Sequence, residues 1–125
     1  MLPNPRVFEV GPDPSGRTWE VNLLWLQTAI SIRHSDSVDV KFLLASGDTR
    51  MEKVVSLQHP DLVALSLKAG RPITDPWCTN LAALHIKHMI ETGQDMEKTL
   101  VTASLTDLER YDGMLGQTAR AGSGS

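Results

Sequence analysis

Two histidines one helical turn apart come nearest to a metal site in this sequence. His85 and His88 lie in the stretch 74–93, and side chains at i and i+3 of a helix are neighbours that can share a metal if a third ligand arrives from elsewhere. That third ligand would have to be His34, His59 or Glu91. Metalloprotease helices use a different spacing, i and i+4, with a glutamate between the histidines. We therefore expect no bound metal and a buried His85 with an ordinary hydrogen-bond partner.

The single cysteine, Cys78, lies in the first turn of the same predicted helix. The helix dipole and the free backbone amides favour a thiolate there, which makes Cys78 a reactive-thiol candidate. A nucleophile also needs a base, and His85 lies about 10 Å farther along the axis, too far away to serve. Because free cysteine is among the most buried residue types, an inert core position is favoured.

No set of residues assembles a catalytic site by its spacing, so the catalytic residues are unassigned. Aspartates that fall in predicted turns or caps have local hydrogen bonds to make there: Asp13, Asp36, Asp48 and Asp75. The glycine-rich stretch 11–16 contains two prolines and lacks the Lys-Ser/Thr of a phosphate-binding loop. Arg33 and Lys41 would bind an anion together, but the neighbouring Asp39 favours a self-neutralising surface.

Length and composition indicate one small domain. The chain has 125 residues, a formal charge of −3 and a hydrophobic share of 41%, which suffices for one ordinary core. One cysteine excludes an internal disulfide, and the acidic balance argues against a nucleic-acid partner. The sequence contains neither an apolar run of about 20 residues nor a signal-peptide pattern. We expect no membrane partner, no cofactor and a cytoplasmic location.

The strongest structural signal is the helix that carries the histidines. Asp75 is predicted as its N-cap, Pro76 as its first residue, and Gly93 as the left-handed residue that ends it. Turning about 100° per residue places one broad apolar face along this helix, which is typical of a helix packed on a sheet. That face comprises Trp77, Cys78, Leu81, Ala82, His85, Ile86 and Met89.

Alternation of apolar and polar residues predicts five strands before the helices. These strands cover residues 6–10, 17–25, 28–34, 38–44 and 50–57. The apolar row changes from odd to even positions between the second and third strands, which requires a bend or bulge near residues 26–28. The burial pattern then sets Ile32 opposite Val40, and Val40 opposite Val55. Lys53 falls in an apolar row, so its ammonium is expected to extend outward to solvent.

The order of strands and then helices predicts the α+β class. A short helix from Pro60 to about residue 69 ends at Gly70, and residues 98–103 are predicted as a short edge strand. We expect a five-stranded, mostly antiparallel meander followed by two or three C-terminal helices packed on one face. A small β-barrel capped by the helices is the alternative.

The last predicted helix begins with a capping box, either Ser104 with Asp107 or Thr106 with Glu109, and ends at Gly113. The final residues, 116–125, contain no large apolar side chain and close in Gly-Ser-Gly-Ser. We therefore divide the chain into a single domain, residues 1–113, and a flexible tail or linker, residues 114–125.

Several apolar residues are assigned by alternation to the sheet face that points away from the helices. Leu24, Leu43 and Val54 are the interface candidates on this face, because water-facing strands normally carry polar side chains. Adjoining across strands, they would form a patch that binds a partner, whereas a scatter of single apolar residues needs no explanation. We expect a small soluble, non-enzymatic binding or assembly module that forms a homodimer through its sheet face.

The alternative function is a small enzyme or ligand-binding protein with a pocket between helix and sheet. Aromatic walls with a few convergent polar groups are the usual composition of a small-molecule site. The pocket would be lined by Trp77, His85, His88 and either Trp25 or Trp19. The assembly module is favoured because no nucleophile, base and orienting group can be assembled from spacing, and both functions stay open at this level.

Overall fold

Four strands that turn back on one another are followed by helices and a short fifth strand. The computed structural model describes residues 7–29 and 37–122. The strands of the meander are β1 (Val7–Val10), β2 (Trp19–Ala29), β3 (Ser37–Ser46) and β4 (Thr49–Gln58). After them come helices α1 (His59–Ala69) and α2 (Asp75–Thr92), strand β5 (Leu100–Ala103) and helix α3 (Leu105–Gly122).

The five strands form one open sheet in the order β1-β2-β3-β4-β5. The first four are antiparallel neighbours, and β5 runs parallel to β4. A parallel pair needs a long crossover connection, which α1 and α2 supply. The predicted α+β class, a five-stranded and mostly antiparallel sheet with helices, is confirmed, and the capped barrel is wrong. No helix in the described residues combines the length and the apolar character needed to cross a membrane.

The five strands of the sheet are not the same five that the sequence predicts before the helices. The sequence divides 17–25 and 28–34 into two strands, whereas β2 runs without a break from Trp19 to Ala29. Val40 pairs with Leu26 instead of the predicted Ile32, which lies outside the described residues. The predicted pairing of Val40 with Val55 is confirmed. β5, predicted as a short edge strand, brings the number of strands to five.

One bulge in β2 decides which of its side chains face the helices. The pairing with β3 shifts by one residue between Leu23 and Trp25, so Leu24 is the extra residue. The predicted change of face is therefore confirmed, but it lies a little before residues 26–28. A bulge changes the face without ending the strand, and it turns Leu26 toward the core while Trp25 becomes exposed.

Helix α2 covers the inner face of the sheet and contacts β1, β2, β3 and β4. The inner-face side chains at the centre of the sheet are fully buried: Val40, Phe42, Leu44, Val55 and Leu57. Leu81, Ile86 and Ile90 of α2 are equally buried, and each such side chain stabilises the fold by about 1.5–3 kcal/mol. Helix α1 buries only Leu62 and Leu65. The main hydrophobic contribution therefore comes from α2 on the sheet.

Lys53 belongs to the inner-face row, and the prediction that its ammonium extends to solvent is wrong. The residue is 2% exposed, and its ammonium donates to the backbone carbonyls of Met96, at 2.7 Å, and Lys98. Burial lowers the pKa of Lys53, while the nearby Glu97 and Asp95 oppose this change. The two carbonyls replace the water that the buried charge has lost. Because Lys53 belongs to β4, these bonds attach the segment that follows α2 to that strand.

Helix α3 begins with the capping box that the sequence offers at Ser104 and Asp107. The amide of Asp107 donates to Ser104 Oγ at 3.1 Å, and the amide of Ser104 donates to Asp107 Oδ2 at 3.4 Å. These reciprocal bonds satisfy two backbone donors that a helix N-terminus leaves free. The alternative box at Thr106 and Glu109 would begin inside the helix.

The predicted end of α3 at Gly113 is wrong, because the helix continues to Gly122. Residues 114–122, assigned from sequence to a flexible tail, are helical. Leu108, Tyr111 and Leu115 recur on one face and are all buried, so packing against the rest of the molecule carries the helix through the glycine. The two other predicted stops, Gly70 and Gly93, adopt the left-handed conformation as expected.

The N-cap of α2 is Thr74, one residue before the predicted Asp75. Thr74 has extended backbone angles, and its hydroxyl accepts a hydrogen bond from the amide of Trp77 at 3.3 Å. Asp75 already lies in the first turn of the helix, where its carboxylate interacts favourably with the helix dipole. Both residues are good N-caps, and the extended backbone of Thr74 makes it the one that is used.

We predict that Thr74→Ala lowers the free energy of unfolding by about 1 kcal/mol, because the amide of Trp77 loses its acceptor. Asp75→Ala is the matched control, since it keeps that bond and removes only a dipole interaction of about 0.3–1 kcal/mol. Urea unfolding followed by circular dichroism measures both. A clearly larger loss in Asp75→Ala would show that the carboxylate is the cap.

Candidate functional site

The sheet has an outer face that the helices of the described chain do not cover. Side chains of alternate residues point to this face, and the strand pairing arranges them in rows. One row across β2 to β5 consists of Trp25, Lys41, Val54 and Leu100. The next row consists of Val7, Asn22, Leu43 and Glu52. The outer-face patch, as we name it, comprises the six apolar side chains of this region: Val7, Leu24, Trp25, Leu43, Val54 and Leu100.

The outer-face patch is accessible to solvent over much of its area. Leu24 is 43% exposed, Trp25 37% and Leu100 60%, whereas Leu43 and Val54 are partly shielded by their neighbours. Scattered apolar residues are normal on a protein surface, but apolar residues that adjoin in register are typical of an interaction site. The three interface candidates from the sequence all lie in this patch.

Three members of the patch, Val7, Trp25 and Leu100, are not among the interface candidates that the sequence predicts. Trp25 is predicted to line a pocket under the helices, but the bulge at Leu24 turns it to the outer face. Leu100 is not assigned to any surface by the sequence analysis. The alternation of exposed Leu100 and Thr102 with buried Val101 and Ala103 is a signal that identifies its face once β5 is placed beside β4.

One cation lies within the outer-face patch. Lys41 Nζ is 3.1 Å from Glu52 Oε1 and 5.7 Å from the centroid of the Trp25 ring. An ammonium over an indole face is attracted by the ring quadrupole, so Lys41 interacts with a carboxylate and with an aromatic ring. Arg33, which the sequence places beside Lys41 in a candidate anion site, lies outside the described residues.

The predicted pocket residues Trp77, His85 and His88 lie together on α2, but α3 fills the space beside them. Trp77 Nε1 donates to Asp112 Oδ1 at 3.0 Å. The same oxygen accepts from Arg71, whose Nε lies 2.8 Å away. The buried indole N–H and the largely buried carboxylate therefore satisfy each other, and Trp77 connects α2 to α3.

His85 is buried, as the sequence predicts, and its partner is a hydroxyl group. His85 Nδ1 lies 2.9 Å from the hydroxyl oxygen of Tyr111, and the His88 ring centroid lies 6.5 Å from that of Tyr111. Arg110 donates to the same hydroxyl oxygen at 3.4 Å, which leaves the hydroxyl proton for Nδ1 of a neutral His85. Burial lowers the pKa of His85, against the attraction of Asp107, and burial raises the pKa of Tyr111.

Trp19 lies away from these residues, at the turn between β1 and β2. Its Nε1 donates to Asp13 Oδ2 at 2.9 Å, while Asp13 Oδ1 accepts from the amides of Ser15 and Arg17. These hydrogen bonds hold the pKa of Asp13 well below its usual range, and the bond from Trp19 has the largest effect. The structure therefore brings Trp77, His85 and His88 together and leaves Trp19 and Trp25 in two other places.

A cleft of about 240 Å³ opens between α1 and α3. It is lined by Leu65, Lys68, Ala69, Glu109, Asp112 and Gly113. Lys68 Nζ and Glu109 Oε2 form an ion pair at 2.5 Å, and Asp112 is already bonded to Trp77 and Arg71. The charged groups of this cleft are thus engaged within the fold, and its lining includes no serine, cysteine or histidine.

Within the described ranges, no three histidine, cysteine, aspartate or glutamate side chains are arranged to hold a metal ion. The helix supplies His85 and His88, but the Nδ1 atom of His85 is engaged by Tyr111. His34, one of the three candidate third ligands, lies outside the described residues.

Cys78 is a core residue with a protonated thiol. It is 1% exposed, and burial, together with the negative charge of Asp75, raises its pKa to about 11. Desolvation therefore outweighs the attraction of the helix N-terminus for a thiolate. The burial agrees with the core position that the sequence favours, and the low reactivity of the thiol stays a prediction.

Comparison with models of protein families, with curated proteins and with solved structures gives no match to this chain.

We predict that the protein loses stability as the pH falls below about 6.5, the ordinary histidine value. The pKa of His85 in the folded protein is depressed. The stability that the neutral His85 contributes is therefore fully present above the unfolded pKa and is lost as the pH falls toward the folded pKa. The double variant His85→Leu/Tyr111→Phe removes the titrating group without leaving an unpaired hydroxyl. Urea unfolding at about pH 7.5 and about pH 5.5 should show a smaller decline in this variant. Equal declines in both proteins would contradict the assignment.

We predict that the Cys78 thiol reacts slowly with a disulfide reagent at about pH 8 in the folded protein and rapidly in urea, because it is buried and protonated. The control is Leu67→Cys, which adds a thiol at a position that is 81% exposed. That added thiol should react at once in the folded variant. A parent protein that reacts as fast as the control would make Cys78 an accessible thiol.

Proposed function

We propose that the protein is a non-enzymatic assembly module that forms a homodimer through the outer face of its sheet. The observation that carries this proposal is the row Trp25, Lys41, Val54 and Leu100, which crosses four adjacent strands with three apolar side chains. Burying such a surface gains about 25 cal/mol per Å² of apolar area, against the entropy cost of association. A second copy offers the same patch, so each apolar side chain finds an apolar partner.

The dimensions of the outer face support a dimer interface. β2 has 11 residues and β3 and β4 have 10 each, which corresponds to strands about 33 Å long. Together with the four-residue strands β1 and β5, spaced about 4.8 Å apart, they cover about 600 Å² in projection. Side-chain relief raises the accessible area above this projection, toward the roughly 800 Å² per partner of a standard interface.

The charges around the patch support a self-complementary contact. The outer face carries acidic residues on several strands, namely Glu9, Glu20, Asp39 and Glu52, and the basic residue Lys41 near its centre. A surface with both signs can oppose a copy of itself without a net clash of like charges. The excess of acids gives no reason for a nucleic-acid or anionic-membrane partner, and the cytoplasmic location stays a prediction.

The outer face of the sheet is better suited to association with a second copy than the edges of the sheet are. Both edge strands, β1 and β5, are only four residues long, so edge-to-edge pairing with another chain would add few backbone hydrogen bonds. Short edge strands are a common protection against such pairing. Association through the side chains of the face uses the three long strands instead.

We do not propose the enzyme or ligand-binding alternative, because two of its polar groups are already bonded within the fold. Trp77 Nε1 and His85 Nδ1, which would orient a ligand, are engaged by Asp112 and Tyr111 of α3. A ligand that used them would have to displace α3. Of the residues that line the cleft between α1 and α3, only Asp112 takes part in these bonds.

The test is Leu43→Glu, which places a carboxylate at the centre of the outer face. We predict a folded monomer with an unchanged circular dichroism spectrum and half the parent mass by light scattering, because an unpaired charge opposes burial of the patch. Leu67→Glu is the matched control, since it makes the same change at a more exposed leucine on α1, and it should remain a dimer.

Two outcomes would overturn the proposal. One is a parent protein that is monomeric at high micromolar concentration. The other is a monomer from Leu67→Glu but not from Leu43→Glu, which would move the interface to the helical layer.

A further inference from the structure

We infer that the ion pair of Lys41 and Glu52 sets the register of the dimer, meaning the alignment of the two sheets as they face each other. The inference rests on the self-association proposed above and deepens it, because it names the residues that select one arrangement of the two copies. An apolar patch alone does not select one alignment of the two sheets, because apolar contacts are non-directional and many alignments bury similar areas.

Lys41 has apolar neighbours on three sides of the outer face, and the carboxylate of Asp39, two residues before it, accepts a hydrogen bond from Ser37 Oγ. Trp25 lies opposite it on β2, Val54 lies opposite it on β4, and Leu43 follows two residues later on the same face of β3. The side chain of Lys41 is 25% exposed. A second sheet laid over this region therefore removes the remaining water from around the ammonium.

A buried ammonium is tolerated only where its charge is balanced. Glu52 Oε1, 3.1 Å from Lys41 Nζ, supplies the counter-charge within one copy. The Glu52 side chain is 51% exposed, so it projects toward the position of a second sheet. An alignment in which each ion pair meets the ion pair of the other copy leaves every charge compensated.

Displaced alignments carry a penalty that the matched alignment does not. Shifting one sheet by a row would set the Lys41–Glu52 pair of each copy against Leu43 or Val54 of the other, so the polar groups would lose water without gaining partners. Such a penalty on wrong arrangements is how a single buried polar group fixes register in coiled coils. The pair thus gives specificity, while the apolar neighbours give affinity.

Arg50 offers the contrast on the same face. It lies in the row with Glu9, Glu20 and Ala45, at the end of β4 away from the apolar row of Trp25, and it is exposed. A charge at this rim keeps its water in any alignment, so its removal should not affect register.

The experiment compares four variants by sedimentation velocity and by the distance between spin labels. The label is placed at Leu67→Cys on α1, a position that is 81% exposed and lies off the outer face of the sheet. The buried Cys78 is expected to stay unlabelled in the folded protein. The parent dimer should give one narrow distance distribution. Glu52→Gln leaves Lys41 uncompensated and should weaken association about tenfold or more.

Lys41→Met replaces the cation by an apolar chain of similar length. It leaves Glu52 without its counter-charge, so it too should weaken association. The double variant Lys41→Met/Glu52→Gln has no charge left to compensate, so it should recover the association lost in either single variant. It should give a broad distance distribution, because the penalty on displaced alignments is gone. Arg50→Met, the control, should match the parent in both measurements.

The outcomes separate this inference from the proposed function. A parent that is monomeric and gives no intermolecular distance overturns both. A parent dimer whose narrow distribution survives the double variant Lys41→Met/Glu52→Gln, or whose affinity survives Glu52→Gln, overturns the inference and leaves the assembly module standing. Circular dichroism of each variant checks that a loss of association is not a loss of fold.

Discussion

Burial of the inner sheet face under α2 is the contact on which the rest of the structure depends. The inner-face residues of β3 and β4 and the apolar residues of α2 form one continuous core, and α1 and α3 extend the helical layer beside it. Since all three helices belong to that layer, nothing in the described chain covers the other face of the sheet. The exposed apolar row across β2 to β5 is therefore a direct consequence of where α2 packs.

The C-terminal third of the chain is joined to this core by polar side chains as much as by apolar ones. Lys53 bonds the carbonyls that precede β5, Trp77 bonds Asp112, and His85 bonds Tyr111. Each of these groups would be costly to bury alone, and each finds a partner in a segment that comes later in sequence. The same bonds engage Trp77 Nε1 and His85 Nδ1, two of the groups that the candidate ligand pocket would need.

The bulge at Leu24 links the fold to the candidate surface. Without it, the alternation of β2 would keep Trp25 in the inner row with Trp19 and Val21, and the outer face would lose its aromatic residue. With it, Leu26 joins the core and Trp25 lies opposite Lys41. A backbone irregularity of one residue thus changes both the composition of the core and the chemistry of the surface.

The sequence by itself determined the elements whose signals are local. The stops of α1 and α2 at Gly70 and Gly93, the capping box of α3 and the alternation of β3 and β4 depend on neighbours in the chain, and they could be predicted together with the α+β class and three members of the outer-face patch. Tertiary structure alone decided the position of the bulge, the continuation of α3 through Gly113, the burial of the Lys53 ammonium and the face of Trp25. Each of these depends on a partner distant in sequence, because burial energy from long-range packing outweighs the propensities of about 1 kcal/mol that a local pattern records.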